Sequence, residues 1–110
     1  MPMTTIEILY FDGCPNHEQL VEHLPSLLQA DGITANIELR RITDEETAVA
    51  ERFLGSPTIR VNGRDVEPDA AEREDYGMKC RMYRTETGLT GTPSDELILN
   101  AFAQDQPDRL

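Results

Sequence analysis

The spacing of apolar residues predicts alternating strands and helices in the first half of the chain. Residues 4–11 (TTIEILYF) are dense enough in apolar side chains for a central strand buried on both faces. From Pro15 to Gly32, leucines recur at helical spacing opposite polar residues, which indicates an amphipathic helix. Residues 35–42 alternate apolar and polar side chains, as a strand at a sheet edge does. These three elements can form a right-handed βαβ unit.

Capping and turn signals extend this order. Thr43 followed by Glu46 is a capping-box signature, and it predicts a second helix that stops at Gly55. Residues 58–61 are then predicted to form a short strand. An Asn-Gly pair, the strongest hairpin signal in the chain, returns the backbone as a partner strand over residues 64–66. The hairpin should therefore extend the sheet in antiparallel fashion.

The last third of the sequence is less regular. Residues 69–91 are predicted to be an irregular insertion, after which the sequence TPSD supplies an N-cap and places Pro93 at the first position of a final helix, 92–103. The element order β-α-β-α-β-β-α predicts one α/β domain over residues 1–103, with a mixed four-stranded sheet flanked by helices. Residues 104–110 are expected to be a flexible tail.

Composition narrows the possible partners. The chain has 110 residues and a formal net charge of -11, and such a field repels phosphate backbones and anionic lipids. Nucleic acid and membrane partners are therefore not expected. No leader-like segment or apolar run of about 20 residues is visible, so we expect a soluble, cytoplasmic protein. The exposed edge predicted at residues 35–42 could pair in a homodimer.

Cys14 is the first candidate for chemistry. It lies between the first strand and the first helix, where backbone N–H groups and the helix dipole stabilise a thiolate. Pro15 fits the first helical position because it has no N–H to leave unpaired. His17, one turn along, could tune the thiolate or accept its proton. A structural cysteine and a structural histidine remain the alternative interpretation of both residues.

Two segments resemble the thioredoxin superfamily, and the small glutaredoxin-like forms most of all. FDGCPNH, residues 11–17, is similar to the active-site segment, with Cys14 in the nucleophile position and His17 where the resolving cysteine stands. GSPTIRVNGRDV is similar to the family's cis-proline segment. The resemblance implies a cis bond between Ser56 and Pro57, with Pro57 packed against Cys14. It also implies that the Ser56 backbone can pair with an extended thiol substrate, which makes Pro15, Ser56 and Pro57 the substrate-binding candidates.

His17 removes the intramolecular attack by which a C-x-x-C pair releases its substrate. The first hypothesis is therefore a thiol oxidoreductase acting on a small thiol or a protein thiol or disulfide. It would bind no cofactor, and glutathione, another thiol, or Cys80 would regenerate Cys14. The second is a protein that binds or transfers a soft metal or an organomercurial through Cys14 with Cys80 or His17. The third is a non-catalytic interaction protein.

Cys80 is open to two interpretations. It could resolve a disulfide on Cys14 if the two Cα atoms approach within about 7 Å. The simpler interpretation places Met78, Cys80 and Met82 on one face of a short strand, with Cys80 as a small core residue.

The charged residues around Cys80 suggest two further roles. Lys79, Arg81 and Arg84 could bind the carboxylates of glutathione, although we favour a role in neutralising nearby acids on a solvated face. The acids of residues 65–75 lack the spacing of a metal-binding loop, and His23 has no evident partner.

Overall fold

The elements predicted between residues 4 and 66 are present, most of them with shorter bounds. The computed structural model describes residues 4–104. In chain order the elements are β1 (Thr4–Tyr10), α1 (Asn16–Ala30), β2 (Ala35–Arg41), α2 (Glu45–Ala50), β3 (Thr58–Val61), β4 (Arg64–Asp65), a 3₁₀ helix (Pro68–Glu72), β5 (Tyr83–Thr85), β6 (Gly88–Thr90) and α3 (Asp95–Gln104). Apart from Gln104, with which α3 ends, the tail predicted at 104–110 lies outside the described residues.

The main sheet has four strands in the order β2-β1-β3-β4. β1 pairs in parallel with β2, where Ile6 lies opposite Ile37, and antiparallel with β3, where Ile8 lies opposite Ile59. β3 and β4 form the predicted antiparallel hairpin. The prediction of a mixed α/β sheet is therefore confirmed, and β2 lies at an edge as its half-polar pattern indicated.

Helices cover both faces of this sheet. Ile6 and Ile8 point to one face, where they pack with the buried leucines of α1 and with Ile98 and Phe102 of α3. Leu9 points to the opposite face and packs with a smaller cluster around Phe53. Each fully buried side chain of this size contributes about 2 kcal/mol of hydrophobic stabilisation. The centre of β1 is thus fixed from both sides, as predicted for a strand buried on both faces.

The start of α2 differs from the capping-box prediction. Asp44, rather than Thr43, is the N-cap, and its carboxylate accepts a hydrogen bond of 2.7 Å from the Thr47 N–H. α2 ends at Ala50, so Phe53 lies beyond the helix, where its N–H donates to the Ala48 carbonyl and its ring is buried. The apolar residues after α2 are therefore buried loop residues and not a helical stripe.

The start of α3 also differs by a few residues from the prediction. Ser94 Oγ accepts a hydrogen bond of 3.1 Å from the Leu97 N–H, which makes Ser94 the N-cap. Pro93 precedes that cap and does not occupy the first helical position, because α3 begins at Asp95.

The insertion contains more regular structure than its sequence indicated. Its 3₁₀ helix is followed by a two-stranded antiparallel sheet, β5-β6. β5 begins only at Tyr83. The face predicted to be buried is also the wrong one, because Arg81 and Tyr83 are buried, whereas Cys80 and Met82 are exposed. Within residues 4–104, no helix is both long and apolar enough to cross a bilayer.

Candidate functional site

The two cysteines of the chain are bonded to each other. Cys14 and Cys80, 66 positions apart, form a disulfide with a Cα–Cα distance of 5.8 Å, inside the usual range for such a bond. The interpretation of Cys80 as a small core residue is therefore wrong, and the approach required of a resolving thiol is present. The bond joins the start of α1 to the insertion, two regions that local sequence patterns do not connect.

Cys14 is held in the turn between β1 and α1. Its side chain is completely buried, and its N–H donates to the Phe11 carbonyl at 3.3 Å. Pro15 is exposed and is the N-cap of α1, whereas it was expected at the first helical position. No side-chain hydrogen bond caps this helix. Cys14 thus lies next to the positive end of α1, as the sequence predicted.

His17 contacts the site through the backbone. Its Nδ1 lies 3.1 Å from the Cys14 carbonyl oxygen, and because a carbonyl only accepts, Nδ1 carries the hydrogen of this bond. The imidazole is half-buried and stacks on Tyr10 with ring centroids 4.1 Å apart. These contacts hold the turn around Cys14 in place, and they engage Nδ1 with the backbone and not with the sulfur.

The Ser56–Pro57 bond is cis, as the family resemblance implied, and Ser56 O lies 3.6 Å from Cys14 Sγ. The Ser56 backbone is already paired with the insertion. Its N–H donates to the Lys79 carbonyl at 2.8 Å, and its carbonyl accepts from the Arg81 N–H at 2.9 Å. The chain's own residues 79–81 therefore occupy the position that the resemblance implied for an extended substrate.

Gly55 allows residues 79–81 to lie this close. A Cβ atom at Gly55 would be 2.9 Å from both the Lys79 carbonyl oxygen and Arg81 Cβ, well inside van der Waals contact. The φ angle of Gly55 is +124°, a conformation that residues with side chains rarely adopt. Gly55 is part of the site, whereas its sequence context predicts only the end of a helix.

Arg81 anchors the segment that carries Cys80. Its guanidinium forms a two-bond pair with the Asp65 carboxylate, at 2.7 and 2.9 Å, and a third bond of 2.7 Å to Glu67. It also donates to Thr58 Oγ1 at 3.3 Å and lies over the Tyr83 ring. We define Arg81, Asp65, Glu67, Thr58 and Tyr83 as the arginine anchor.

The charges of the arginine anchor are largely removed from water. The Arg81 side chain is 0% exposed, and those of Asp65 and Glu67 are 14% and 16% exposed. Burial alone would lower the pKa of Arg81, but the hydrogen bonds to Asp65 and Glu67 and the charge of Asp65 outweigh it and raise the pKa. Arg81 is therefore a buried, paired cation, and the expected solvated position is wrong for this residue.

The other predicted charged residues lie at the periphery. Lys79 is exposed and bonds to Asp75 at 2.8 Å, which agrees with its proposed role in neutralising an acid, and Arg84 is exposed. His23, for which no partner was evident, lies 2.8 Å from Asp95 at the start of α3. Within residues 4–104, no side-chain hydrogen bond joins Lys79, Arg84 or His23 to Cys14 or Cys80.

No metal-binding cluster is found among residues 4–104, and the cavity beside β3 is not lined by the two cysteines. Among residues 4–104, no group of three or more His, Cys, Asp or Glu side chains is arranged to hold a metal ion. A cavity of about 650 Å³ opens beside β3 and the 3₁₀ helix, and its lining includes Arg60, Arg64 and Asp65 but neither cysteine. The lining includes both Asp65 and Glu67, so this cavity adjoins the arginine anchor and not the disulfide.

The candidate site is thus a disulfide between a buried cysteine at a helix start and an exposed cysteine on an anchored segment. The family resemblance of residues 11–17 and 55–66 stays a prediction. The chain matches no protein-family model, no curated protein and no solved structure.

Proposed function

We propose that the protein is a thiol–disulfide redox protein in which Cys14 and Cys80 cycle between a disulfide and a dithiol. The observation that carries the proposal is the meeting of the chain's two cysteines, across 66 positions, at the start of α1. We also propose that the fold is thioredoxin-like. The strand order β2-β1-β3-β4 and the cis Ser56–Pro57 bond beside Cys14 support that assignment.

The reaction needs only an external thiol. Two thiol molecules reduce the Cys14–Cys80 bond, each giving up one electron and one proton, and they leave joined as a disulfide. In the reverse direction, the dithiol reduces a small or protein disulfide and returns to the bonded state. Glutathione or another cellular thiol would supply the electrons, and no bound cofactor takes part.

The position of Cys14 favours its thiolate in the reduced protein. A thiolate at a helix start is stabilised by the helix dipole and by nearby backbone N–H groups. His17 contributes by fixing the turn, since its Nδ1–H is bonded to the Cys14 carbonyl. We therefore assign His17 a positioning role and not the transfer of the thiol proton.

The test is a redox titration of the folded protein. Equilibration in buffers of varying glutathione to glutathione disulfide ratio, followed by acid quenching and alkylation, should give one transition in which two thiols appear together. The reduced protein should also reduce a model disulfide catalytically when glutathione is supplied. The Cys14→Ser/Cys80→Ser double variant is the control and should show neither behaviour. A disulfide that resists excess dithiothreitol in the folded protein would contradict the proposal.

A second candidate function is binding of a soft metal ion by the reduced pair. Two thiolates brought within bonding distance suit a two-coordinate ion such as Hg(II) or Cu(I), or an organomercurial. Titration of the reduced protein with Hg(II) should then give one equivalent whose affinity falls strongly in both single serine variants. If neither redox cycling nor metal binding is found, the third hypothesis, an interaction protein with a structural disulfide, is the one supported.

A further inference from the structure

The two cysteines of the disulfide differ in their exposure. Cys14 is 0% exposed, and its sulfur lies 3.6 Å from the Ser56 carbonyl oxygen. Cys80 belongs to the exposed residues of the insertion. A thiolate must reach one sulfur in line with the S–S bond, so access decides which sulfur is attacked. In the bonded protein, the exposed residue of the pair is Cys80.

We propose that Cys80 is the residue at which external thiols and disulfides exchange, and that Cys14 is the leaving and resolving thiol. This inference rests on the proposed redox function and assigns the roles within it. It reverses the order expected from the family resemblance, in which Cys14 meets the substrate first. The site would accordingly take small thiols, because the anchored backbone around Cys80 already fills the hydrogen-bonding positions of Ser56.

Each step of the exchange balances. An external thiolate attacks Cys80 Sγ, the new S–S bond forms there, and the Cys14–Cys80 bond breaks with its electron pair on Cys14. The departing Cys14 thiolate lies at the start of α1, and a stabilised thiolate is the better leaving group. A second external thiolate then attacks the external sulfur of the mixed disulfide. The two external thiols leave joined as a disulfide, and the electron pair of the broken bond stays on Cys80 as its thiolate.

The arginine anchor explains how resolution can occur in the opposite direction. When Cys80 attacks an external disulfide, Cys14 must reach Cys80 Sγ before the mixed disulfide meets another thiol. The Ser56 N–H donates to the Lys79 carbonyl and the Arg81 N–H donates to the Ser56 carbonyl. Together with the buried Arg81 side chain, these bonds keep Cys80 beside Cys14 without the S–S bond. The attack by Cys14 is therefore intramolecular, and it benefits from the high effective concentration of a positioned group.

The first experiment compares the two single serine variants, each reduced and folded. Reaction with 5,5′-dithiobis(2-nitrobenzoate) should be on the order of 10-fold or more faster for Cys14→Ser, which keeps Cys80, than for Cys80→Ser, which keeps the buried Cys14. In concentrated urea, the two rates should become similar, which shows that access and not intrinsic reactivity sets the difference. A Cys80→Ser variant that reacts as fast as Cys14→Ser when folded would overturn the proposal.

The second experiment needs no variant and so does not depend on how a substituted chain folds. Oxidised wild-type protein is mixed with glutathione, quenched in acid at short times, alkylated and mapped by mass spectrometry. Glutathione should be found on Cys80 and the alkyl group on Cys14. Glutathione on Cys14 would overturn the assigned order while leaving the proposed redox function intact. A disulfide that never exchanges would overturn both, so the two failures are distinguishable.

Discussion

Cys14 and Cys80 share one bond, but the protein holds them by opposite means. Cys14 lies where a strand buried on both faces meets an amphipathic helix, and apolar packing fixes both elements. Cys80 lies on a segment held by two backbone hydrogen bonds to Ser56 and by the buried Arg81. The first position follows from periodic apolar residues and the second from specific polar contacts. The two sides should therefore respond to different perturbations.

The largest expected effect comes from removing the bond between the two regions. A disulfide that closes a loop of 66 residues restricts the unfolded chain and should stabilise the protein by about 4 kcal/mol. Reduction should lower the free energy of unfolding by that amount, measured by urea unfolding with and without a phosphine reductant. The urea midpoint should fall, and most of the loss should reflect the unfolded chain and not the fold of the reduced state.

The Cys14→Ser/Cys80→Ser double variant provides the control for the reductant itself. Its unfolding curve should be the same with and without the phosphine and should lie close to that of the reduced wild type. A double variant much less stable than the reduced wild type would show that the serine hydroxyls disturb the buried site. In that case the loss could not be assigned to the bond alone.

Arg81→Met perturbs only the Cys80 region, which is held by polar contacts. It leaves Asp65 and Glu67 partly buried without the Arg81 guanidinium, and breaking such a pair costs about 3 kcal/mol. The loss should appear in urea unfolding of the reduced protein. The disulfide should also become easier to reduce in a glutathione titration, because Cys80 is no longer held beside Cys14. We expect the equilibrium constant for its formation to fall by about 10-fold, an effect that general destabilisation would not produce.

Arg84→Met is the matched control, since Arg84 is exposed and lies three positions further along the same segment. It should change stability by no more than about 0.5 kcal/mol and leave the glutathione equilibrium unchanged. Equal effects of the two substitutions would indicate that the loss of one positive charge matters, and not the buried contacts of Arg81.

The difference between the two sides also explains which parts could be predicted. β1, α1, β2 and the β3–β4 hairpin carry apolar periodicity or an Asn-Gly turn, and each was found close to its expected bounds. The errors at helix starts have a local cause. Thr43 and Asp44 are neighbours that can both cap a helix, and the hydrogen bond to Thr47 decides for Asp44.

The Cys80 side could not be derived in the same way. Alternation in residues 78–83 correctly implied two faces, but hydrophobicity selected the wrong one, because Arg81 is buried with its partners. The acids that satisfy it, Asp65 and Glu67, belong to the β4 region and approach only in the folded chain. The basic cluster in an acidic chain was the available signal, and it did not indicate which residue would be buried.

Gly55→Ala tests the close packing where the two sides meet. The added methyl group would be 2.9 Å from the Lys79 carbonyl oxygen and from Arg81 Cβ. Residues 79–81, called the Cys80 segment below, must therefore move away. We expect a loss of about 3 kcal/mol in total, part from the positive φ angle and part from the displaced segment. Formation of the Cys14–Cys80 disulfide from the dithiol should also slow, as followed by quenched alkylation.

Gly88→Ala separates the two contributions. Gly88 has a similar φ angle of +114°, but nothing lies within 4 Å of its added Cβ. It should lose about 1–2 kcal/mol from backbone strain and leave the rate of disulfide formation unchanged. If both substitutions slow disulfide formation equally, contact between Gly55 and the Cys80 segment is not what positions Cys80.

The smallest expected effect concerns the exposed end of the Cys80 segment. Hydrogen bonds from Arg73 and Lys79 hold the pKa of Asp75 well below its usual value of 3.8. Because the folded pKa is depressed, the resulting stabilisation is present above the unfolded pKa and is lost as the pH falls towards the folded pKa. The Asp75 side chain is 50% exposed, so solvent screening limits this stabilisation to about 0.5 kcal/mol.

Asp75→Asn should therefore destabilise the protein slightly at pH 7, and the difference from wild type should shrink as the pH falls below about 3.8. Urea unfolding at several pH values would measure it, with the exposed Asp69 replaced in Asp69→Asn as the control. The exchange rate at Cys80 should stay unchanged in both variants, since the buried Arg81 and not the exposed Lys79–Asp75 pair holds the segment. A large loss in Asp75→Asn would transfer that role to the surface pair and weaken the contrast between the two regions.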